Sequence, residues 1–345
     1  MRAHVTRRDF LTTALSVSVL PRLAHAQTAT SINGRTFRGT RTATGTRGEG
    51  GEGLQAKSDV VIRNCQFLDL GNGAVRVNTP TNGLVIEDCK ASNLYRFLED
   101  TSSDKANPAI LSNFAVRRIT AREIDRGMIR IRYGSHDGVI EDVAAFGSDH
   151  CDLYPVGFQL DDGAHGISYL RVEAHGFQET SRPADKYWNG DGFSDERGNH
   201  GIRYVSCTAT QCSDGGFDLK SAEVYLENCV ARANKRNYRL WNGGKLYRCR
   251  SEDPHQYGGT GGAAHFSFRG AVGRYVIDSA VVRAAPGNGA PIFLIETNTP
   301  LNLEIRNADI NAPGAPLFAI KGPEPLISWV PERRLQNIRV LRDRA

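Results

Sequence analysis

The sequence predicts an all-β solenoid, one short strand-and-turn unit stacked many times. Three observations carry this reading. First, a seven-residue segment recurs around cysteine: VIRNCQF at Cys65, VIEDCKA at Cys89, RYVSCTA at Cys207, YLENCVA at Cys229 and KLYRCRS at Cys249. The same slot without cysteine falls at Ile119, Val143, Val172, Ser279 and Ala308. Intervals run from 20 residues (Cys229 to Cys249) to 35 (Val172 to Cys207). A constant slot at a variable interval marks a repeated supersecondary unit with insertions at its corners. Second, a hydrophobic column of Ile129, Phe158, Phe193, Phe217, Tyr238, Phe266, Phe293 and Phe318 opens short strands such as FQLD, FDLK, YRLW and FLIE. Third, the unit is too short for two helices, and its Val, Ile, Tyr and Phe alternate with period two.

Taken in chain order, the first 26 residues stand apart. Arg7 and Arg8 precede Phe10 and Leu11, a short apolar run and Ala24-His25-Ala26. This is the pattern of a twin-arginine export signal with a cleavage site. The apolar run is too short to span a bilayer. The mature chain is expected to begin near Gln27, to be periplasmic or secreted, and to lack a membrane anchor. Residues 27–345 are expected to form one monomeric domain, since solenoids lengthen without splitting. Removing residues 1–26 takes away Arg2, Arg7, Arg8, Arg22 and Asp9, so the formal charge falls from +5 to +2. That balance gives no case for nucleic-acid binding.

The repeats come next. In a strand, alternate residues face opposite ways. The aromatic slot and the residue two later therefore point into each coil, and the residues between and after them point outward. The expected result is two kinds of sheet column, a packed core and a chemically varied outer face. The spacing and inward stacking resemble the right-handed parallel β-helix over roughly residues 55–325, with roughly ten coils. Cys207, Cys229 and Cys249 are expected to stack as buried free thiols, because cysteine in an inward slot behaves as a small hydrophobe. Cys151 and Cys212 lie outside that column and are the pair to watch. Insertions at 95–115 and 176–190 are expected to wall a groove.

The chemistry is expected on the outer face between Tyr187 and Trp241. Asp191, Asp214 and Asp218 fall on successive coils, whose strands lie about 4.8 Å apart. Converging carboxylates repel unless they share a proton or a cation. In an exported protein the natural partner is calcium, a hard cation with oxygen ligands. Asp195 and Glu196 are nearby reserves. Lys220 faces outward beyond Asp218, Arg239 follows in register on the next coil, Arg269 lies a coil further, and Arg130 and Arg132 lie on the other side. Such a groove suits an acidic polysaccharide, whose carboxylates pair with arginine. Tyr187, Trp188 and Trp241 could stack on sugar rings. For any one Asp-Gly pair the plain reading is a turn, and for any one arginine a solvated face.

The run DGF at Asp191–Phe193, the Gly198-Asn199 turn, SDGGFDL at 213–219, V-x-x-EN at Val224–Asn228 and the asparagine corner at Asn234 resemble the family 9 polysaccharide lyases, calcium-dependent pectate lyases on a β-helix. The match covers roughly residues 187–245, and the coil repeat extends it more loosely. It implies Asp191, Asp214 and Asp218 as calcium ligands, with Gly215 where the family has a further aspartate. It implies Arg239 in the slot of the family's catalytic lysine. The implied reaction is β-elimination at a 4-linked uronate: charge neutralisation acidifies the C5 proton, a base removes it, and the glycosidic oxygen leaves. The register favours Arg239 as base. On chemistry alone Lys220 is easier, since lysine shifts its pKa readily. Arg130, Arg132, Arg269 and Trp241 are expected to bind substrate. Three alternatives stay open: a glycoside hydrolase using Asp161 and Asp162, a uronate epimerase suggested by Asp253-Pro254-His255, and a non-catalytic glycan-binding β-helix.

Overall fold

The structure, a computed structural model, describes residues 30–104, 106–151, 154–270, 273–331 and 340–342. The export signal and the start of the mature chain lie outside the described residues. Among those residues every named element is a β-strand, and every strand pairing is parallel. The chain winds as a right-handed parallel β-helix, the hand that parallel crossovers take.

Each full coil contributes three strands, so the stack forms three sheets. Sheet I holds the strands that open on the aromatic slot: Val156–Leu160, Asp191–Asp195, 215–219, 236–240, Ala264–Phe268 and Phe293–Glu296 stack in that order. Sheet II holds the strands just before the cysteine slot, such as Arg203–Val205, and sheet III those just after it, such as Thr208–Thr210. Sheets II and III meet at a corner of a single residue. That residue lies in the left-handed region at Asn64, Asp88, Asp142, Ser206, Asn228 and Asn307, and among residues with a side chain Asn and Asp reach this conformation most readily. Arg118 and Arg171 take it too. Their guanidiniums are held by Asp88 and Asp142, the corner residues one coil earlier, with Nε–Oδ1 distances of 2.6 and 2.7 Å. A corner one residue wide hides the third sheet in the sequence, because no glycine or proline marks it.

The corner also corrects one slot. Ser279 is the left-handed residue, with φ 56°, and Ala280 takes the buried position. The pairing of Val281 with Arg250 sets Ala280 beside Cys249. The 95–115 segment is a shorter insertion than expected, since 96–100 runs in sheet I, with Leu98 paired to Ile129. The segment 176–190 is a true insertion, without strand, between sheets III and I.

The core is a ladder of like on like. Rings of Phe158, Phe193, Phe217, Tyr238, Phe266, Phe293 and Phe318 stack coil over coil at 4.8 to 5.6 Å between centroids. Each such ring contributes about 1.5–3 kcal/mol of burial, and each aligned pair adds about 0.5–1.5 kcal/mol. The seven cysteines are buried and free. Register places Cys207, Cys229 and Cys249 in one column. Cys151 and Cys212 are unbonded as well.

Candidate active site

Sheet I presents alternate residues outward, and its register aligns Arg130, Gln159, Ser194, Asp218, Arg239 and Ser267 on successive coils. Three carboxylates meet on this face. Asp191, Asp214 and Asp218 are all buried, each with a carboxylate oxygen within 4.8 Å of the others. The Asp191 carboxyl is pushed well above its ordinary value, first by burial and then by the charges of Asp218 and Asp214. One backbone bond, from Gly215 N at 2.7 Å, opposes that shift.

Cations close around the cluster. Arg239 donates to Asp214 Oδ2 at 2.9 Å and lies 3.5 Å from Asp218 Oδ2. Burial works against its charge, but Asp218 and Asp214 outweigh it and hold the guanidinium well above its ordinary value. Lys220 lies 3.7 Å from Asp218 Oδ2 and bonds Glu196 at 2.5 Å. Burial again lowers its pKa, and Asp218 and Glu196 more than reverse this. Both bases expected from the sequence are therefore held protonated in the resting site. A third cation, Lys235, was not among the residues expected from the sequence. Its ammonium is fully buried, 3.2 Å from Asp214 Oδ1. Lys235 holds Asp214 Oδ1 as an ion pair, its charge the larger part of the attraction. Burial lowers the Lys235 pKa despite Asp214. Only its place in the NKRN corner, next to the strand of Arg239, could have flagged it.

Tyr187 comes from the 176–190 insertion. Its hydroxyl donates to Asp214 Oδ2 and accepts from Arg239 at 2.7 Å. Trp241 donates Nε1–H to Asp218 Oδ1 at 2.7 Å. Its half-buried ring is approached by Arg239 at 5.0 Å, Arg197 at 5.1 Å and Arg269 at 5.6 Å. Arg269 is tied to Glu296 at 2.7 Å.

Other expected residues lie elsewhere. Arg130 stands three strand spacings from Asp218, about 14 Å at the usual interval, and pairs with Asp161 at 3.1 Å. Arg132 is held by Asp100. Asp195 is no reserve for the cluster. It sits in the inward slot, fully buried, and accepts from Lys220 N, Ser221 N and Ser221 Oγ at 2.7 to 2.8 Å. Burial pushes it up to about 6 against those donors. Asp253 takes a corner with φ 38° and caps Ala285 N at 2.7 Å, so the DPH segment is a loop after sheet III, outside sheet I. Trp188 packs on Gly258 and Gly259.

The donor set fits a hard cation, being all oxygen, with Asp191 under pressure from two like charges. Gly215 also faces the cluster: a Cβ there would stand 2.9 Å from both Asp191 Oδ1 and Asp218 Cβ. A further aspartate at this position would crowd the three that are present.

The chain matches no protein-family model and no curated protein. Among solved structures it is similar to the A-module of the mannuronan C-5 epimerase AlgE4 of Azotobacter vinelandii, with 13% identity and a TM-score of 0.54 over 87% of this chain and 89% of that one. It also matches PfbA, a surface adhesin of Streptococcus pneumoniae, at 9% identity and a TM-score of 0.41 over 91% of this chain and 90% of that one. At such identities the likeness is one of fold: this chain is a parallel β-helix.

Proposed function

We propose that the protein is an exported enzyme acting on an acidic, uronate-containing polysaccharide, and that it cleaves the chain by β-elimination. One observation carries the reading: three buried carboxylates meet Lys220 and Arg239 on the outward face of sheet I, with Lys235 reaching them from the corner before that strand. That is an arrangement for handling a substrate carboxylate and a proton beside it.

Asp191, Asp214 and Asp218 would hold a calcium ion, which when bound supplies charge that neutralises the uronate carboxylate and acidifies the C5 proton. Arg239 stays charged throughout and pairs with the same carboxylate, stabilising the enolate-like intermediate. Lys220 removes the proton. It is the most accessible of the three cations, with 17% side-chain exposure against 9% for Arg239 and 0% for Lys235. Its pKa is held up mainly by Asp218, and whatever neutralises Asp218 frees Lys220 to act as a base. Trp241, with Arg197 and Arg269 beside it, receives a neighbouring sugar ring.

A second reading is C5 epimerisation, favoured by the fold shared with a mannuronan C-5 epimerase. Both reactions begin by removing the C5 proton. In elimination the glycosidic oxygen then leaves, whereas in epimerisation a proton returns to the opposite face of C5. Polyuronates incubated with the enzyme in deuterated water separate the two. A lyase gives an unsaturated product that absorbs in the ultraviolet. An epimerase gives deuterium at C5 with the chain intact. Neither signal from any polyuronate, with or without added calcium, would overturn both readings and leave hydrolysis or glycan binding.

A further inference from the structure

The segment 253–263, DPHQYGGTGGA, has no part in the chemistry above, yet it is tied into the site from several sides. His255 N bonds Asn234 O at 3.0 Å, and Tyr257 Oη donates to Ala233 O at 2.9 Å. Both bonds anchor the loop to the corner that carries Lys235. Thr260 O then accepts from Lys235 Nζ at 3.2 Å, and Thr260 N donates to Lys186 O at 2.9 Å. Lys186 belongs to the other insertion, next to Tyr187 and Trp188. The Trp188 ring lies directly on two glycines. A Cβ at Gly258 would stand 2.6 Å from Trp188 Cη2, and one at Gly259 would stand 2.7 Å from Cγ. Side-chain carbons do not approach an indole that closely, so this seat exists only because both positions lack a side chain. Trp188 Nε1 donates to Pro183 O at 3.0 Å, which fixes the ring in its own loop. The next residue back, Tyr187, is the one that bridges Asp214 and Arg239.

We infer that the Gly258–Gly259 seat, through Trp188 and Tyr187, sets the position of the Arg239 guanidinium over the carboxylate cluster. Tyr187 is a positioning residue here, and the DPH-to-glycine loop is its mount. The inference rests on the reading of this cluster as the reaction centre. Arg239 Nη1 is shared between that hydroxyl and Asp214 Oδ2, the oxygen that also accepts from Tyr187, so moving the hydroxyl re-aims the fork. A guanidinium displaced by a fraction of an ångström presents its fork to the substrate at the wrong angle, and misplacement of about 1 Å can cost about 10²-fold in rate.

A double-mutant cycle on the full chain tests this. Tyr187→Phe removes only the hydroxyl, and we expect kcat to fall about tenfold to a hundredfold. Gly258→Ala is expected to give a similar fall in a chain still folded at the assay temperature, its thermal midpoint lowered by the displaced indole. Trp188→Ala, which vacates the seat, serves as the second variant should Gly258→Ala fold poorly. The two effects must not add: in the Tyr187→Phe background, Gly258→Ala should cost less than about twofold. Additive losses, or full activity in both Gly258→Ala and Trp188→Ala, would overturn the inference. A readout independent of activity separates it from the functional reading. Gly258→Ala should shift the tryptophan emission, and the shift should vanish in a Trp188→Phe background. If the wild type processes no polyuronate, the function is wrong while the emission arm still decides the seat. An unchanged emission spectrum refutes the seat whatever the activity.

Discussion

Two groups of charge lie along the same sheet, and they differ in kind. On the earlier coils, Arg76 reaches Glu99 at 3.2 Å, Arg96 reaches it at 3.5 Å, and Arg130 pairs with Asp161 at 3.1 Å. Arg132 is held by Asp100. Acids and arginines alternate there, and no two acids are forced together across the coils. Asp100 is pushed up to about 7, but by burial alone, with bonds from Arg132 and Ser135 pulling the other way. On the later coils, Asp191, Asp214 and Asp218 crowd one point, and Asp191 is raised by like charges as well as by burial. On the function proposed above, this contrast separates the reaction centre from the scaffold. A buried arginine beside one acid completes a structure. Acids stacked against acids cost stability, and that cost is retained where a substrate, proton or cation relieves it.

Matched substitutions on the two charge groups test the distinction most directly. Asp218→Asn is expected to lower kcat/KM by at least about 10²-fold, the usual scale for an essential proton-transfer or electrostatic group. Arg130→Ala, on the earlier ladder, should change it less than about threefold on the same scale. Equal losses would erase the distinction between ladder and site.

A similar contrast separates the two candidate bases. Lys220→Ala should lower kcat by about 10²-fold or more. Arg239→Lys should keep part of the activity, since a charged group remains near the cluster. If Lys220→Ala is active and Arg239→Ala is dead at every pH, the base is Arg239, as the register of sheet I suggested.

Stability measurements probe the crowded group next. Asp214→Leu strips the carboxylate paired with the fully buried Lys235 ammonium, and a buried charge left unpaired typically costs about 3–5 kcal/mol. Adding Lys235→Met should recover most of the loss in denaturant titrations. A stable single variant would mean that Lys235 is neutral in the folded protein.

His265 gives a pH-dependent case away from both charge groups. It is fully buried, bonds Ser251 at 2.8 Å and has its pKa lowered to about 4 by burial. Its folded value lies below its ordinary 6.5, so the unfolded chain binds the extra proton. Stability is present above pH 6.5 and is lost as the pH falls toward 4. At about 1.4 kcal/mol per pKa unit the loss approaches about 3 kcal/mol. His265→Asn should flatten this acid limb in thermal midpoints measured between the two values, because its amide does not titrate.

The smallest expected effect concerns the departure from the lyase pattern. Gly215→Asp should not tighten calcium binding in calorimetry, because its Cβ meets Asp218 Cβ, which cannot swing away as a flexible chain end could. Tighter binding would show that the cluster opens.

Much of this was legible in the chain itself. The aromatic slot, the cysteine column and the outward register of Asp218 and Arg239 follow from period-two alternation and repetition, which a parallel stack preserves from coil to coil. The convergence of Asp191, Asp214 and Asp218 follows from their places just before or within the strands of neighbouring coils, about 4.8 Å apart. What only the tertiary structure decided came from corners and insertions, where no period operates. The one-residue corners that create sheet III, the inward turn of Asp195, and Lys235 buried under the cluster depend on local backbone direction. Tyr187 reaches Asp214 and Arg239 from a loop with no repeat of its own, and two glycines in another loop hold the ring beside it in place. Repetition dictates which residues share a face, because each coil copies the strand direction of the one before. Which side chains from irregular segments come to rest on that face is settled by packing between loops far apart in sequence, and local sequence does not encode it.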